Sequence, residues 1–223
     1  MRSRMALSLI ALGILFGVGC AQVATGQREA AQAADISLPA PSLTGKVSVE
    51  EALAKRRSVR SFTQQGLSLQ QIGQLAWAAQ GITGSGGKRT APSAMAVYPL
   101  QLYLITSDGV FRYLPEGHRL AKVSGSDARA ALSSQFSVRD APLDFVIVGD
   151  LAKARARLGD RAERFVCIEA GHVAQNIHLQ AVALALGSVS VGGYRDADVV
   201  KALGLAAEET PLYIIPVGYP RTG

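Results

Sequence analysis

The sequence predicts an α+β fold in which several helices pack on a sheet. Two stretches, 98–106 and 110–114, are separated by the turn residues Ser107-Asp108-Gly109 and predict a β-hairpin. An apolar run over 143–149 predicts a buried strand. Residues 161–186 predict one long helix. Because this helix is apolar nearly all round toward its C-terminal half, it is expected at the centre of the fold.

The other elements follow from capping residues and apolar spacing. Ser48 with Glu51 predicts a capping box for a first helix that ends near Arg57. Ser68 with Gln71 opens a second helix in the same way. Residues 81–87 predict a flexible glycine-rich loop. The remaining predicted elements are helices at 126–135 and 196–203 and strands at 188–191 and 212–218.

The N-terminal 21 residues have the features of a signal peptide. Arg2 and Arg4 precede an apolar run over 5–18, which the small residues Gly19-Cys20-Ala21 follow. The run is shorter than the roughly 20 residues that span a bilayer, so an uncleaved anchor is the second choice. Simple cleavage and lipid attachment at Cys20 are equally favoured. We therefore expect an exported protein, either periplasmic or anchored to the membrane through its N-terminus.

A linker and one domain are expected after the signal peptide. Residues 22–45 are rich in Ala, Gln, Ser and Pro without an apolar period, which predicts a flexible linker. The domain then covers residues 46–223. Two cysteines exclude a disulfide scaffold and a four-ligand zinc site. Cys167 is expected to be a buried apolar residue.

The chain is basic, with a formal net charge of +6. Removing residues 1–21 takes away two arginines and no acids, which leaves 21 − 17 = +4. An excess of positive charge favours an anionic partner. Nucleic acid is not expected as that partner, because no basic stripe with interleaved aromatic residues is present.

The densest basic cluster is Arg56-Arg57-Ser58-Val59-Arg60. Its spacing supports two interpretations equally. Cations at the C-terminus of a helix interact favourably with the helix dipole, which would make the cluster structural. Arginine forks with a serine hydroxyl also suit a phosphate, which would make the cluster a binding site.

Several other catalytic patterns are excluded by particular residues. The stretch 84–90 resembles a phosphate loop but fails the Walker pattern, because Arg89 follows Lys88. The nucleophile motif G-x-S-x-G does not occur. His172 and His178 are six residues apart on the long helix, so they face different sides and cannot share a metal ion. The sequence therefore predicts neither a metal site nor a catalytic nucleophile.

An ordered set of motifs resembles nitroreductase-fold flavoproteins, and most closely the SagB-type dehydrogenase branch. The resemblance covers nearly everything from Leu38 to Pro220. Its motifs, in chain order, are Leu38-Pro39; 48–53 followed by Arg56-Arg57-Ser58-Val59-Arg60-Ser61-Phe62; 69–81; Arg89-Thr90-Ala91-Pro92-Ser93-Ala94; Tyr98-Pro99-Leu100; Tyr113 with His118-Arg119-Leu120; Gly171-His172 with Gln175-Asn176; 187–194; and 216–220.

The resemblance implies a mostly antiparallel central sheet flanked by helices, with FMN bound at the interface of a homodimer. Arg56, Arg57, Ser58 and Arg60 match the motif that contacts the FMN phosphate, ribityl chain and pyrimidine edge, which favours the phosphate interpretation. The other matching residues are Pro92, Ser93 and Ala94 beside the isoalloxazine, Gly192 and Gly193 under the ring near N5, Gln135 as a polar flavin contact, and Arg221 as a late phosphate ligand.

In this family the flavin carries the redox chemistry, so that the protein needs no catalytic side chain. The first hypothesis is an FMN-dependent oxidoreductase that takes electrons from NAD(P)H or another donor and reduces a small organic acceptor such as a nitroaromatic or a quinone. The second is a SagB-type dehydrogenase that oxidises azoline rings during peptide maturation. The third is a non-catalytic flavin-binding protein.

Overall fold

The computed structural model describes residues 35–221, most of which belong to one seven-stranded sheet and the helices that cover it. The signal-peptide prediction, the fate of Cys20 and most of the expected linker lie outside the described residues. In the described part, no helix is both long and apolar enough to cross a bilayer.

The elements follow the chain in an α+β order. The strands are β1 (Ile36–Ser37), β2 (Ile82–Gly84), β3 (Lys88–Arg89), β4 (Leu100–Thr106), β5 (Gly109–Leu114), β6 (Arg119–Ser124), β7 (Leu143–Asp150), β8 (Gly187–Ser188) and β9 (Glu209–Gly218). The helices are α1 (Val49–Lys55), α2 (Leu69–Gln80), α3 (Arg129–Leu132), α4 (Phe136–Arg139), α5 (Leu151–Leu158), α6 (Ala162–Ala183) and α7 (Asp196–Leu203).

The main sheet has the strand order β1-β6-β5-β4-β7-β9-β8, and each neighbouring pair is antiparallel. Its centre is β7, whose residues 143–149 are all buried. Alternate β7 side chains enter two cores. One core lies against α2 and α6 and includes Leu75 and Ile177. The other lies against α3 and α7 and includes Leu132 and Leu203. The predicted antiparallel sheet with flanking helices and one long helix is confirmed.

The helix predictions are confirmed at the start of α2, confirmed in part at the start of α1 and wrong for residues 126–135. Ser68 and Gln71 form the predicted reciprocal capping box of α2. At α1, only one half of the box is present, because the Ser48 hydroxyl accepts from the backbone N–H of Glu51. The helix predicted at 126–135 is wrong, since only the short helix α3 lies within that range and α4 begins after it, at Phe136. The Ser133 hydroxyl accepts from the Gln135 N–H at 3.2 Å, and such a local bond competes with helix continuation.

The residues just before position 46 also differ from the prediction. Ile36 and Ser37 pair with β6, and Leu38 is buried in the first core. The Gln74 side chain bonds both the N–H and the carbonyl of Ser42. Residues 36–42 therefore contact β6, α2 and the first core, although they fall within the predicted linker. Strand pairing, one buried apolar residue and a side-chain amide from α2 hold this segment, which has no apolar period of its own.

The exposed face of α6 corrects the prediction for Cys167. Cys167 is exposed. Of its two neighbours in the chain, Val166 is buried, whereas the exposed fraction of Ile168 is 48%. The long helix is therefore central but not enclosed. One of its faces packs on the sheet, while an apolar part of the opposite face is uncovered in the single chain.

Candidate functional site

The basic segment predicted from the sequence lies between the end of α1 and β8. The N–H of Val59 donates to the carbonyl of Ser188 at 3.0 Å, and Ser58 and Ser188 form a parallel bridge. Gly187 faces Val59 so closely that a Cβ at residue 187 would come within 2.6 Å of it. The segment is thus held in extended form against the short strand β8.

The two interpretations of the cluster divide between its residues. The Arg57 guanidinium donates to the carbonyls of Ala54 and Arg56, at 3.0 and 2.7 Å. These are orphan carbonyls at the C-terminus of α1, so Arg57 supports the structural interpretation. Among residues 35–221, neither Arg56 nor Arg60 lies within ion-pair distance of a carboxylate. These two arginines remain available for an anion.

Arg221 lies beside the same segment although it is far away in sequence. Its backbone N–H donates to the carbonyl of Ser61 at 3.0 Å, and Phe62 and Pro220 form an antiparallel bridge. The exit of β9 therefore brings Arg221 next to the neighbour of Arg60. The backbones at Arg221 and at Ser61 are thus adjacent although they come from opposite ends of the domain, and a shared phosphate contact of Arg60 and Arg221 stays a prediction.

His178 anchors this region to α6. Its Nδ1 lies 2.7 Å from the Ser188 hydroxyl and its Nε2 lies 2.8 Å from the Ser190 hydroxyl. Burial, reinforced by the positive charge of Arg56, lowers the pKa of His178 to about 4. The imidazole is thus neutral at pH 7, with one nitrogen donating and the other accepting. The sequence excluded only a shared metal ion for His178, and the serines at 188 and 190 were the available signal for its hydrogen bonds.

Replacing His178 is expected to change the pH dependence of stability. A histidine whose pKa is lower in the folded protein than in the unfolded chain costs stability as pH falls from about 6.5 toward 4. Relative to His178→Gln, the wild-type protein should lose about 3 kcal/mol of unfolding free energy across that range. Chemical denaturation at pH 7.5 and 4.5 measures this loss. Parallel pH profiles of the two proteins would contradict it, and exposed His172 provides the control substitution.

Gly192 and Gly193 form an open loop after β8, and Gln135 holds it. The Gln135 side-chain N–H donates to the carbonyl of Gly193 at 2.8 Å. Both glycines are exposed. A Cβ at either position would meet its nearest protein atom at 3.6 or 3.7 Å, which is an ordinary contact. Packing within the chain therefore does not require glycine here, whereas close approach of a flat ligand from the open side would.

The predicted segment 92–94 contacts α6 at a different position, at Glu169. The Ser93 hydroxyl donates to Oε2 of Glu169 at 2.5 Å and accepts from the N–H of Tyr98 at 2.8 Å. Met95, Ala96 and Tyr98 all have φ near +50°, an unusual cluster for non-glycine residues. Glu169 supports this strained turn from the middle of α6.

Glu169 is a buried carboxyl group that the sequence analysis did not assign to the site. Burial raises its pKa, while the Ser93 hydroxyl and the Arg89 charge oppose that rise. Its Oε1 has no hydrogen-bond partner among the described residues, and neither has Nε2 of Gln80. An acidic residue in the mostly apolar central helix was the signal available in the sequence.

The structure thus places the predicted site residues in two groups. Arg56 lies near His178, and Arg60 and Arg221 lie on or next to the same extended segment. Gln135 holds the glycine loop that follows β8, whereas segment 92–94 lies near Glu169. The two α6 residues are nine positions apart, which corresponds to about 13 Å along a helix. Within residues 35–221, no hydrogen bond joins the two groups directly. The predicted flavin contacts are thus attached to α6 at two different positions along the helix.

The comparisons with known proteins agree with this fold and these motifs. The model of the nitroreductase family matches residues 53–219. The chain belongs to the nitroreductase family. It is 37% identical over 184 residues to the candidate nitroreductase MJ1384 of Methanocaldococcus jannaschii, covering 78% of this chain and 91% of that protein. Nitroreductases are oxidoreductases that in general use a flavin, and this one has the fold and motif order of that family.

Solved structures show the same similarity. A candidate nitroreductase from Ralstonia eutropha JMP134 superposes with a TM-score of 0.80 and 31% identity, covering 85% of this chain and 90% of the other. The Escherichia coli microcin synthetase McbBCD complex contains a chain with a TM-score of 0.66 and 21% identity, covering 94% of this chain and 85% of the other. At that identity the second similarity concerns the fold alone.

Proposed function

We propose that this nitroreductase is an FMN-dependent enzyme that takes electrons from NAD(P)H or a similar donor and reduces a small organic acceptor such as a nitroaromatic or a quinone. The observation that carries the proposal is the position of Arg56, Arg60 and Arg221 on or next to the extended segment that pairs with β8 and with the end of β9. Strand β8 in turn leads into the open loop of Gly192 and Gly193. These residues come from three distant parts of the sequence. Their arrangement offers cations at one end and uncovered backbone at the other.

The basic end fits a phosphate by its donor chemistry. Guanidinium groups form paired hydrogen bonds with phosphate oxygens, and each charge-assisted bond is stronger than a neutral one. Arg56 and Arg60 have no carboxylate partner in the described part of the chain. A terminal phosphate would neutralise this cluster. Riboflavin lacks that phosphate, so this end of the site supports FMN rather than riboflavin as the ligand.

The open end fits a flat ring. Gly192 and Gly193 leave backbone groups accessible, and Gln135 fixes their carbonyl orientation from the side. When bound, the flavin supplies hydride and electron transfer at N5. This chain contributes binding, orientation and positive electrostatics. His178 keeps β8 and the glycine loop attached to α6 without adding a charge of its own.

A second copy of the chain would complete the site. Segment 92–94 contacts α6 at Glu169, nine residues before His178, so a partner chain could contribute one of the two groups of contacts to each flavin. The chain also exposes apolar residues around a cleft of about 610 Å³ beside α1, α2 and α6, with Leu43 and Val49 at its rim. Ile168 extends the uncovered apolar surface on α6. Exposed apolar surface of this kind supports a homodimer.

Turnover tests the enzymatic part of the proposal. In the absence of oxygen, NAD(P)H should bleach the absorbance of the bound flavin. Adding a quinone or a nitroaromatic should then restore the absorbance. A flavin that stays oxidised with NAD(P)H but is reduced by dithionite would instead identify a non-catalytic flavin-binding protein. An azoline-containing peptide is the third substrate class to test, because the similarity to a chain of the McbBCD complex extends over 94% of this chain.

The cellular location follows from residues 1–21. We propose that they direct export, which leaves the enzyme periplasmic or attached through its N-terminus. The motif Gly19-Cys20-Ala21 supports both cleavage and lipidation. A Cys20→Ser variant distinguishes them by fractionation. Release of the variant from membranes would establish lipid attachment, and unchanged fractionation would exclude it. Retention of the wild-type protein in the cytoplasm would contradict export.

A further inference from the structure

A cleft opens where strands β4 and β5 separate. The two strands pair from Tyr103 with Arg112 to Thr106 with Gly109, and no further. Beyond that point β4 stays with β7, where Leu100 pairs with Gly149, and β5 stays with β6. The space between the diverging strands is a cavity of about 220 Å³. Arg56, Arg60 and Arg221 do not line this cavity. The cavity therefore lies outside the end of the flavin site that is proposed to bind the phosphate.

The lining of this cleft carries excess positive charge. Arg89, Arg112 and Lys153 line it, opposed by one lining carboxylate, Asp150, so that the formal charge is +3 − 1 = +2. Asp150 is already engaged, since its Oδ1 accepts from the backbone N–H of Lys153. The Arg89 side chain is only 12% exposed, and its ion pair with Glu116 is long, at 3.7 Å. Three cations therefore line the cleft, where Asp150 is the lining carboxylate and Glu116 is an ion-pair partner of Arg89.

The hydrogen bonds of these cations go to neutral acceptors. Arg89 donates to Oε1 of Gln80 at 2.8 Å. Arg112 donates to Oε1 of Gln101 at 3.3 Å, and Lys153 donates to the carbonyl of Tyr98 at 3.0 Å. In the described part of the chain, neither Arg112 nor Lys153 makes an ion pair. The side chains are thus oriented by neutral groups, and the charges of Arg112 and Lys153 are left for a ligand.

We propose that this cleft binds a small dianion, either an organic dicarboxylate or a phosphate monoester. A charge of −2 would neutralise the lining. The arginine forks suit planar carboxylate or phosphate oxygens, and Lys153 adds a point charge. A volume of 220 Å³ is below that of most drug-sized sites, which limits the ligand to a small molecule. Anion binding here does not depend on the proposed flavin chemistry.

The cleft is connected to the strained turn near Ser93. Lys153 holds the Tyr98 carbonyl, and the Arg89 guanidinium lies 4.8 Å from the centre of the Tyr98 ring. The Tyr98 N–H in turn donates to the Ser93 hydroxyl. A dianion that binds Arg89 and Lys153 therefore acts on two of the side chains that position Tyr98. An effect of the ligand on the flavin rests on the proposed function, whereas binding itself does not.

Calorimetric titration at low ionic strength tests the proposal with inorganic phosphate, glycerol 3-phosphate and succinate as probes and acetate as the monoanion. At least one dianion should bind with Kd below about 1 mM, and acetate should bind at least tenfold more weakly. The stronger of the phosphate and carboxylate probes identifies the ligand class. Absence of binding by all three dianions, or equal binding of acetate, would overturn the proposal.

Paired variants locate the binding. The double variant Arg112→Gln with Lys153→Gln should bind the dianion at least tenfold more weakly than the wild type. Lys153→Gln alone should reduce the affinity by a smaller factor. Lys122→Gln with Arg157→Gln removes the same charge outside the cleft and should leave the affinity unchanged. Circular dichroism confirms that each variant is folded. Binding that survives the cleft variant but is lost in Arg56→Ala with Arg60→Ala would place the anion at the proposed flavin site and overturn this one.

Discussion

Replacing Arg56 and Arg60 together by alanine is expected to weaken FMN binding by about 100-fold or more. Each substitution removes a charge-assisted hydrogen bond worth roughly 1.5–3 kcal/mol, and 1.4 kcal/mol corresponds to a factor of ten. Riboflavin affinity should change little, because riboflavin has no phosphate. Fluorescence titration of the flavin-free protein with both ligands measures the difference.

Arg57→Ala is the matched control for this experiment. Arg57 belongs to the same cluster, but its guanidinium bonds the carbonyls of Ala54 and Arg56 at the end of α1. Its loss should therefore lower stability slightly and leave the preference for FMN over riboflavin intact. If Arg57→Ala reduced FMN affinity as much as the double variant does, the cluster would act only through its total charge. An unchanged FMN affinity in the double variant would make the whole cluster structural.

The second large effect is expected at Asp144, a carboxyl group in the middle of the sheet. Asp144 is fully buried, and neither carboxyl oxygen has a hydrogen-bond partner among the described residues. Burial raises its pKa well above the ordinary value, Asp127 adds to the rise, and Arg129 opposes it. Arg129 does not reach Asp144, because its donors bond Asp127 and the carbonyl of Ala141.

Asp144→Asn should therefore stabilise the protein at neutral and alkaline pH. The native state holds the Asp144 proton at pH values where the unfolded chain has lost it, so the unfolding free energy of the wild type falls as pH rises above about 4. Removing the charge should raise the free energy of unfolding by about 2 kcal/mol at pH 8. At pH 4 the variant and the wild type should differ little in stability. Urea denaturation at both pH values measures this change. A variant that is less stable at pH 8 would show that the charge is compensated.

Asp127→Asn provides the opposite expectation on the neighbouring carboxylate. Hydrogen bonds from Arg129 hold the pKa of Asp127 below its usual value. Ionised Asp127 therefore contributes stability above the unfolded pKa, and that contribution is lost as pH falls. Asp127→Asn should destabilise the protein at pH 8 and approach the wild type at low pH. The two aspartates thus predict pH profiles of opposite sign within one small polar cluster.

Local sequence signals predicted the elements that have strong periodicity or capping. The capping residues Ser68 and Gln71 and the apolar spacing of 161–186 identified α2 and α6, and the apolar run at 143–149 identified β7. Strand β6 was missed because only its residue Leu120 is buried, which leaves no apolar alternation to detect. Helix α5 was missed for a similar reason, since Ala154 is its only buried residue.

The candidate site was predicted in part. Its residues were identified from motif order, but their division into two groups on α6 depends on three-dimensional distances that a linear pattern does not contain. The structural role of Arg57 arises from carbonyls freed at the end of α1, and it differs from that of Arg56 one residue away. His178 and Glu169 become informative only once Ser188, Ser190 and Ser93 are placed beside them.

The most direct test of the account is the flavin preference of the wild-type protein. The purified protein, stripped of any bound flavin, is titrated with FMN and with riboflavin while flavin fluorescence and absorbance are followed. The account predicts that FMN binds at one molecule per chain, at least about 100-fold more tightly than riboflavin. A protein that binds neither flavin, or that binds both with equal affinity, would contradict the assignment of Arg56, Arg60 and Arg221 to a flavin phosphate.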